Sequence, residues 1–101
     1  MKSNRVGLTL IYEGKKEVEK GVFEDFRTNK TVKATKQKVF QTRIDALSLQ
    51  GIKINGRFEV NEQYDSKDLK YITFKGDTYK IREKVEDKDK HLIVIEAGEL
   101  V

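Results

Sequence analysis

The sequence predicts an α+β domain that is mainly β: a small antiparallel sheet or partly open barrel with one helix at about residues 41–50. Three observations lead there. Most of the chain alternates apolar and polar residues with period two, only its middle carries a helical period, and one segment near residue 76 reads as a β-hairpin. With 101 residues the chain fits one domain spanning residues 1–101, which buries roughly 65% of its unfolded surface.

The elements follow in order. Val6, Leu8, Leu10 and Tyr12 alternate with Gly7, Thr9 and Ile11, which predicts a strand ending at Glu13-Gly14. A second strand is expected over Glu17–Phe23, and the polar stretch Glu24–Lys30 then reads as a loop holding one aromatic, Phe26. A third strand, about Thr31 to Val39, is strongly basic. Phe40, Ile44 and Leu47 recur at helical spacing and Gly51 stands where a helix would stop, while Thr42, Arg43, Asp45 and Gln50 give the helix a wet face. Asn55-Gly56 reads as a type I′ hairpin turn, the alternative being that Ile52–Ile54 is simply the extended exit from the helix. A strand over Arg57–Glu62 is the favoured outcome.

The hairpin is Tyr71-Ile-Thr-Phe-Lys-Gly-Asp-Thr-Tyr-Lys-Ile-Arg82. With Gly76-Asp77 as a type II′ turn, Phe74 would face Tyr79 and Ile72 would face Ile81. On the other face Thr73 would meet Lys80, and Tyr71 would meet Arg82. Glu86–Lys90 is a charged turn. His91–Ala97 is the most hydrophobic strand, apolar on both faces, and so belongs inside the fold.

Composition narrows the function. The chain has 21 basic and 17 acidic residues, 38% charged residues, one histidine and no cysteine or proline. A disulfide framework, thiolate catalysis and a thiolate metal site are excluded. No apolar run reaches the ~20 residues that span a bilayer and no signal-peptide core is visible, so a soluble, unexported protein with no membrane partner is expected. His91 lacks a second histidine and a nucleophilic partner, the carboxylates alternate with lysine as solvated charge does, and no glycine-rich phosphate loop occurs. Neither catalytic residues nor a metal or other cofactor are expected, and the chain reads as a non-enzyme. The local basic excess, Lys30, Lys33, Lys36 and Lys38, reads either as a strand edge protected by lysine or as a face toward DNA.

The cadence of the chain resembles the head-to-tail connector proteins of long-tailed bacteriophages and prophages, also called head closure or stopper proteins. It runs from the basic strand through a helix containing Arg43-Ile-Asp-Ala46 and closed by Gly51-Ile-Lys53, to Phe58-Glu-Val60 and a loop centred on Tyr64-Asp65. Lys70-Tyr71, the Gly76, Tyr79 and Ile81 pattern, and the strand Leu92–Ala97 complete it. The likeness covers about residues 32–97. Phe40 stands where the family often has a small polar helix cap, and Tyr79-Lys-Ile81 is followed by Arg82-Glu83-Lys84 where Arg-Thr-Tyr is frequent.

The resemblance implies a structural role in virion assembly. Such subunits form a ring beneath the portal and its adaptor protein after DNA packaging, meet a tail-completion protein, and seal the head until the tail joins. The implied localisation is the virion, and the bacterial host cytoplasm during assembly, with the isolated subunit able to remain a monomer. On this expectation the docking and gating loops are Glu24–Lys30 and Asn61–Leu69, with Phe26, Arg27, Asn29, Tyr64 and Asp65 as interface residues. The alternative for the two rings is that they fold back onto their own core. Lys30, Lys33, Lys36 and Lys38 would be the residues in transient contact with DNA. Two other functions stay open: a small OB or SH3-like nucleic-acid-binding module stacking bases on Tyr71, Tyr79 and Phe58, and a tail-completion protein of the same assembly.

Overall fold

The computed structural model describes residues 5–38, 41–51 and 54–101, with the side chains of 41–44 excepted. The expectations for Val39, Phe40, Ile44 and Ile52-Lys53 fall outside these residues. The elements are β1 (Arg5–Glu19), β2 (Val22–Gln37), α1 (Gln41–Ser48), β3 (Gly56–Asn61), a single 3-10 turn (Glu62–Tyr64), β4 (Leu69–Phe74), β5 (Asp77–Asp87) and β6 (Leu92–Leu100). The strands form a closed antiparallel barrel in the order β1-β2-β3-β6-β5-β4. The fold is thus mainly β with one short helix, as the sequence predicts, and the barrel closes completely.

Period two explains the core. Leu8 and Leu10 of β1, Val32 and Ala34 of β2, and Phe58 and Val60 of β3 point inward and meet Leu69, Ile72, Ile93, Ile95 and Ala97 from the other strands. Each fully buried aliphatic or aromatic side chain contributes roughly 1.5–3 kcal/mol relative to exposure. As its sequence suggests, β6 is an interior strand, paired with β3 on one side and β5 on the other.

Closure is made between β1 and β4, where Thr9, Leu10, Ile11 and Tyr12 pair with Thr73, Ile72, Tyr71 and Leu69, the register shifting between Ile11 and Tyr12. On the outer surface the threonines Thr31, Thr9, Thr73 and Thr78 stand opposite one another across four strands. Their hydroxyls touch at 3.3 Å between Thr9 and Thr31 and at 2.7 Å between Thr73 and Thr78. This cross-strand row fixes the register on both sides of the seam.

Expectations are corrected in three regions. Strand β1 does not stop at Gly14, and Glu17–Phe23 is not a strand of its own but holds a tight turn at Lys20-Gly21. Glu24–Lys30 is not a loop but runs on into the strand expected from Thr31, so that β1 and β2 form one continuous ribbon. Asn55-Gly56 is not a hairpin turn but the entry to β3, with Asn55 N–H donating to Ala97 O at 2.8 Å and its side chain donating to Gly98 O at 2.6 Å. The β4–β5 turn is Lys75-Gly76, one residue earlier than expected. Both residues have positive φ, 51° and 84°, as a type I′ turn requires.

Moving the turn by one residue moves the register by two. Phe74 therefore opposes Asp77, Ile72 opposes Tyr79, and Tyr71 opposes Lys80, not Arg82. The inward and outward faces survive, because a shift of two preserves the pleat. A side chain with a Cβ at Lys75 holds the left-handed conformation at a cost that asparagine largely avoids. Replacing Lys75 with Asn is expected to stabilise the fold by about 0.5–1 kcal/mol, seen as a higher midpoint at unchanged slope in urea unfolding.

Candidate docking site at the arm end

The barrel has two dissimilar ends. One carries α1, the β4–β5 turn and Leu100, since Gln37 pairs with Arg57, Gly56 with Ala97, and Tyr79 with Leu100. The other carries the loop between β3 and β4, the β5–β6 turn, and the part of the β1–β2 ribbon that leaves the barrel.

That ribbon becomes a free arm because β1 pairs with β4 only as far as Tyr12, and β2 pairs with β3 only over Thr35–Gln37. From Glu13 to Arg27 the two strands hold only each other over most of their length. Opposite charges stand directly across the ribbon: Glu13 opposite Arg27, Lys15 opposite Asp25, and Lys16 opposite Glu24. The Arg27 Nη1 to Glu13 Oε2 distance is 3.4 Å. Each such pair is worth roughly 0.2–1 kcal/mol and opposes a slipped register. The tip is different in character, for Val18, Val22 and Phe23 are exposed there, Phe23 to 59%.

Phe26 lies at the root of the arm, half-buried, directly across from Gly14. A Cβ at residue 14 would lie 2.9 Å from the Phe26 ring and 2.8 Å from Asp68 Oδ1, so the ring rests on bare glycine backbone. Two open recesses flank this root. One, of about 540 Å³, is bordered by Gly14, Phe26, Arg27, Lys70 and Tyr71; the other, of about 350 Å³, by Tyr12, Phe26, Thr28, Lys30 and Tyr64. Arg27 stands 6.0 Å from the centroid of the outward-facing Tyr71 ring.

The loop Asn61–Leu69 does lie between strands, as expected, and it closes this end of the barrel. Asn61 Oδ1 accepts from Gln63 N–H at 3.0 Å, capping the 3-10 turn. Tyr64 packs against the core with Lys30 Nζ 4.8 Å from its ring centroid. The Tyr12 hydroxyl donates to Tyr64 O at 2.6 Å. Lys84 Nζ reaches Asp65 Oδ1 at 3.0 Å and Ser66 O at 2.9 Å, and Glu13 N–H donates to Asp68 O at 2.8 Å. The exposed His91 closes the neighbouring turn with Nδ1 3.1 Å from Glu62 Oε1 and its carbonyl accepting from Glu62 N–H.

The expected interface residues therefore separate. Tyr64 and Asp65 sit in the closing loop, whereas Phe26, Arg27 and Asn29 are strand residues of β2, opposite Gly14, Glu13 and Ile11. Both rings, Phe26 and Tyr64, rest partly on their own chain. The four lysines do not make one face. Lys30 and Lys36 share the inward phase of β2 but lie at opposite ends of the barrel, Lys36 Nζ being 5.2 Å from the Phe74 ring centroid. Lys33 points outward opposite Gly7, and Lys38 lies just past the strand.

Of the three aromatics considered as base platforms, only Tyr71 faces outward. Phe58 is fully buried and Tyr79 packs on the core. Sequence reading missed Glu96, an outward-phase residue only 2% exposed, which Arg82 contacts at 2.7 Å from β5 and Arg57 at 3.8 Å from β3. It locks three strands together, and stripping it of its arginines would leave a buried charge.

Among the described residues no helix is long and apolar enough to cross a membrane, and no group of three metal-ligating side chains gathers. The site thus consists of a closed barrel end, two open recesses and an apolar-tipped arm. Comparison with protein families, characterised proteins and solved structures finds no match to this chain.

Burial, reinforced by the Asp65 carboxylate and the Tyr64 phenol, raises the Tyr12 phenol above its ordinary value of 10.0. A raised folded value means that this contribution is whole below pH 10 and is lost as the pH climbs through the folded value. Above pH 10 the stability of the protein is expected to fall more steeply than that of Tyr12→Phe. At neutral pH the variant is expected to be about 1 kcal/mol less stable for want of the hydroxyl hydrogen bond. Urea titrations of both proteins across that pH range measure the two effects.

Proposed function

We propose that this chain is a non-enzymatic structural subunit of a bacteriophage or prophage head-to-tail connector. Copies of it form a ring that closes the filled head between a portal or adaptor protein and a tail-completion protein. Transient contact with the passing DNA belongs to the same reading.

The supporting observation is the arm. A closed barrel buries its own apolar face, yet this one sends out a two-stranded ribbon ending in exposed Val18, Val22 and Phe23. A free two-stranded ribbon is marginal in water, so its apolar end makes physical sense as something that is covered on assembly. The cadence of residues 32–97 supplies the family to which such a subunit would belong.

A second reading, a nucleic-acid-binding barrel, is favoured by the outward Tyr71 ring with Arg27 above it and Lys70 beside it. One stacking ring is little beside the several that such proteins use, and the acidic residues Glu13 and Asp25 line the same recess.

Disrupting the gene in its own genome, with a complemented strain as control, tests the first reading. Electron microscopy is expected to find filled or leaking heads beside separate, finished tails. Normal tailed particles would discard the connector. Micromolar binding of random single-stranded DNA with a steep salt dependence would then put the second reading in its place.

A further inference from the structure

We propose that the apolar tip of the arm docks on the helix end of a second copy of this chain, so that successive copies meet head to tail. The connector reading is needed only for closure of these contacts into a ring.

The two surfaces lie at opposite ends of the barrel, and one molecule cannot cover its own tip with its own far end. The tip offers Val18, Val22 and Phe23, flanked by the exposed Glu17, Glu19 and Lys20. The helix end offers the other exposed apolar side chains suited to receive it, Leu49 at 90% and Leu100 at 60% exposure. Leu100 borders a recess of about 440 Å³ together with Gly51, Asn55 and Glu99.

Charge argues for the same pairing. At the helix end Lys36 and Lys75 converge on one ring, with Nζ atoms 5.2 and 5.3 Å from the Phe74 centroid. Neither has a carboxylate partner among the described residues. Glu17 and Glu19 of an incoming tip would supply the missing anions, and Lys20 would suit Glu99 on the rim of the recess. A tip-to-tip contact would leave Lys36 and Lys75 of both copies without anions. The contact is therefore heterologous: it uses two different surfaces, leaves each copy with one free end of each kind, and closes or propagates according to the angle between copies.

The absence of cysteine makes the test simple. Phe23→Cys and Leu100→Cys are made as separate proteins, both at exposed positions where folding is not at stake. Each is oxidised alone and in an equal mixture at about millimolar concentration, in the range where weak docking is populated. Disulfide dimers are expected in the mixture at roughly ten times the rate in either protein alone, because docking raises the local thiol concentration. Glu19→Lys added to the Phe23→Cys protein is expected to slow the mixed reaction, and Lys75→Glu added to the Leu100→Cys protein to restore it. Fastest dimerisation of Phe23→Cys with itself would replace the contact with a two-fold one and overturn the proposal. Equal slow rates in all three samples would overturn it as well. A mixed cross-link in a protein whose gene disruption leaves particles normal would keep the contact and remove the connector.

Discussion

Closure of the sheet between β1 and β4 is the constraint on which the rest of the structure depends. The seam is short, Thr9 to Tyr12 against Thr73 to Leu69, yet it joins the two ends of the strand order and turns an open meander into a closed barrel. It brings Leu10 and Ile72, both wholly buried, into register on the inside. On the outside it places Thr9 against Thr73 in the hydroxyl row. Because β1 has no partner on the β4 side beyond Tyr12, the rest of β1 and its hairpin mate must leave the barrel. The arm is thus a direct consequence of where the seam ends.

The same seam decides how the arm end is closed. After Leu69 the chain has returned to β1, so the preceding residues must cross the barrel mouth from β3. Tyr64 packs there under Lys30, while Tyr12 from β1 and Lys84 from β5 hold the crossing segment by its carbonyl oxygens. Polar backbone that would otherwise lie unsatisfied over an apolar core is bonded from two sides. At the other end the described residues include no comparable crossing, and Lys36 and Lys75 share the Phe74 ring. The ends differ in chemistry because the β3–β4 segment crosses one, whereas at the other α1 joins the neighbouring strands β2 and β3.

How much of this was legible in the sequence depended on whether a face was wet or dry. The inward phase of β1 was readable because one of its faces meets the core, β6 was readable as a strand inside the fold, and the hairpin faces were right even though its turn was displaced. The helix was legible as an element, expected at about residues 41–50 and found over Gln41–Ser48. The arm was not, because both faces of a free ribbon are solvated and Glu13–Lys20 and Glu24–Lys30 show no apolar alternation. Its register is written in charge, Glu13 with Arg27, Lys15 with Asp25 and Lys16 with Glu24, and such pairs are recognisable only once a turn at Lys20-Gly21 is assumed. Glu96 was hidden for a related reason: its burial depends on Arg57 and Arg82 from strands far away in sequence.

The division between barrel and arm also bears on which element could order upon docking. A segment that waits for a partner has to be loosely tied to its own chain. The loop Asn61–Leu69 is tied by Asn61, Tyr12, Lys84 and the backbone of Glu13, and Tyr64 rests on the core. Releasing it would unstopper the barrel and expose Tyr12 and the apolar residues beneath. The arm beyond Gly14 is held by its own ladder, by a Gly21 N–H to Glu17 Oε1 hydrogen bond of 3.1 Å and by opposite exposed charges facing across it, which are worth little in water. It can bend or fray without opening the core, and Phe26 seated on Gly14 marks where such movement must stop. On the connector reading, then, docking falls to the arm, and the closing loop keeps the barrel whole while it happens.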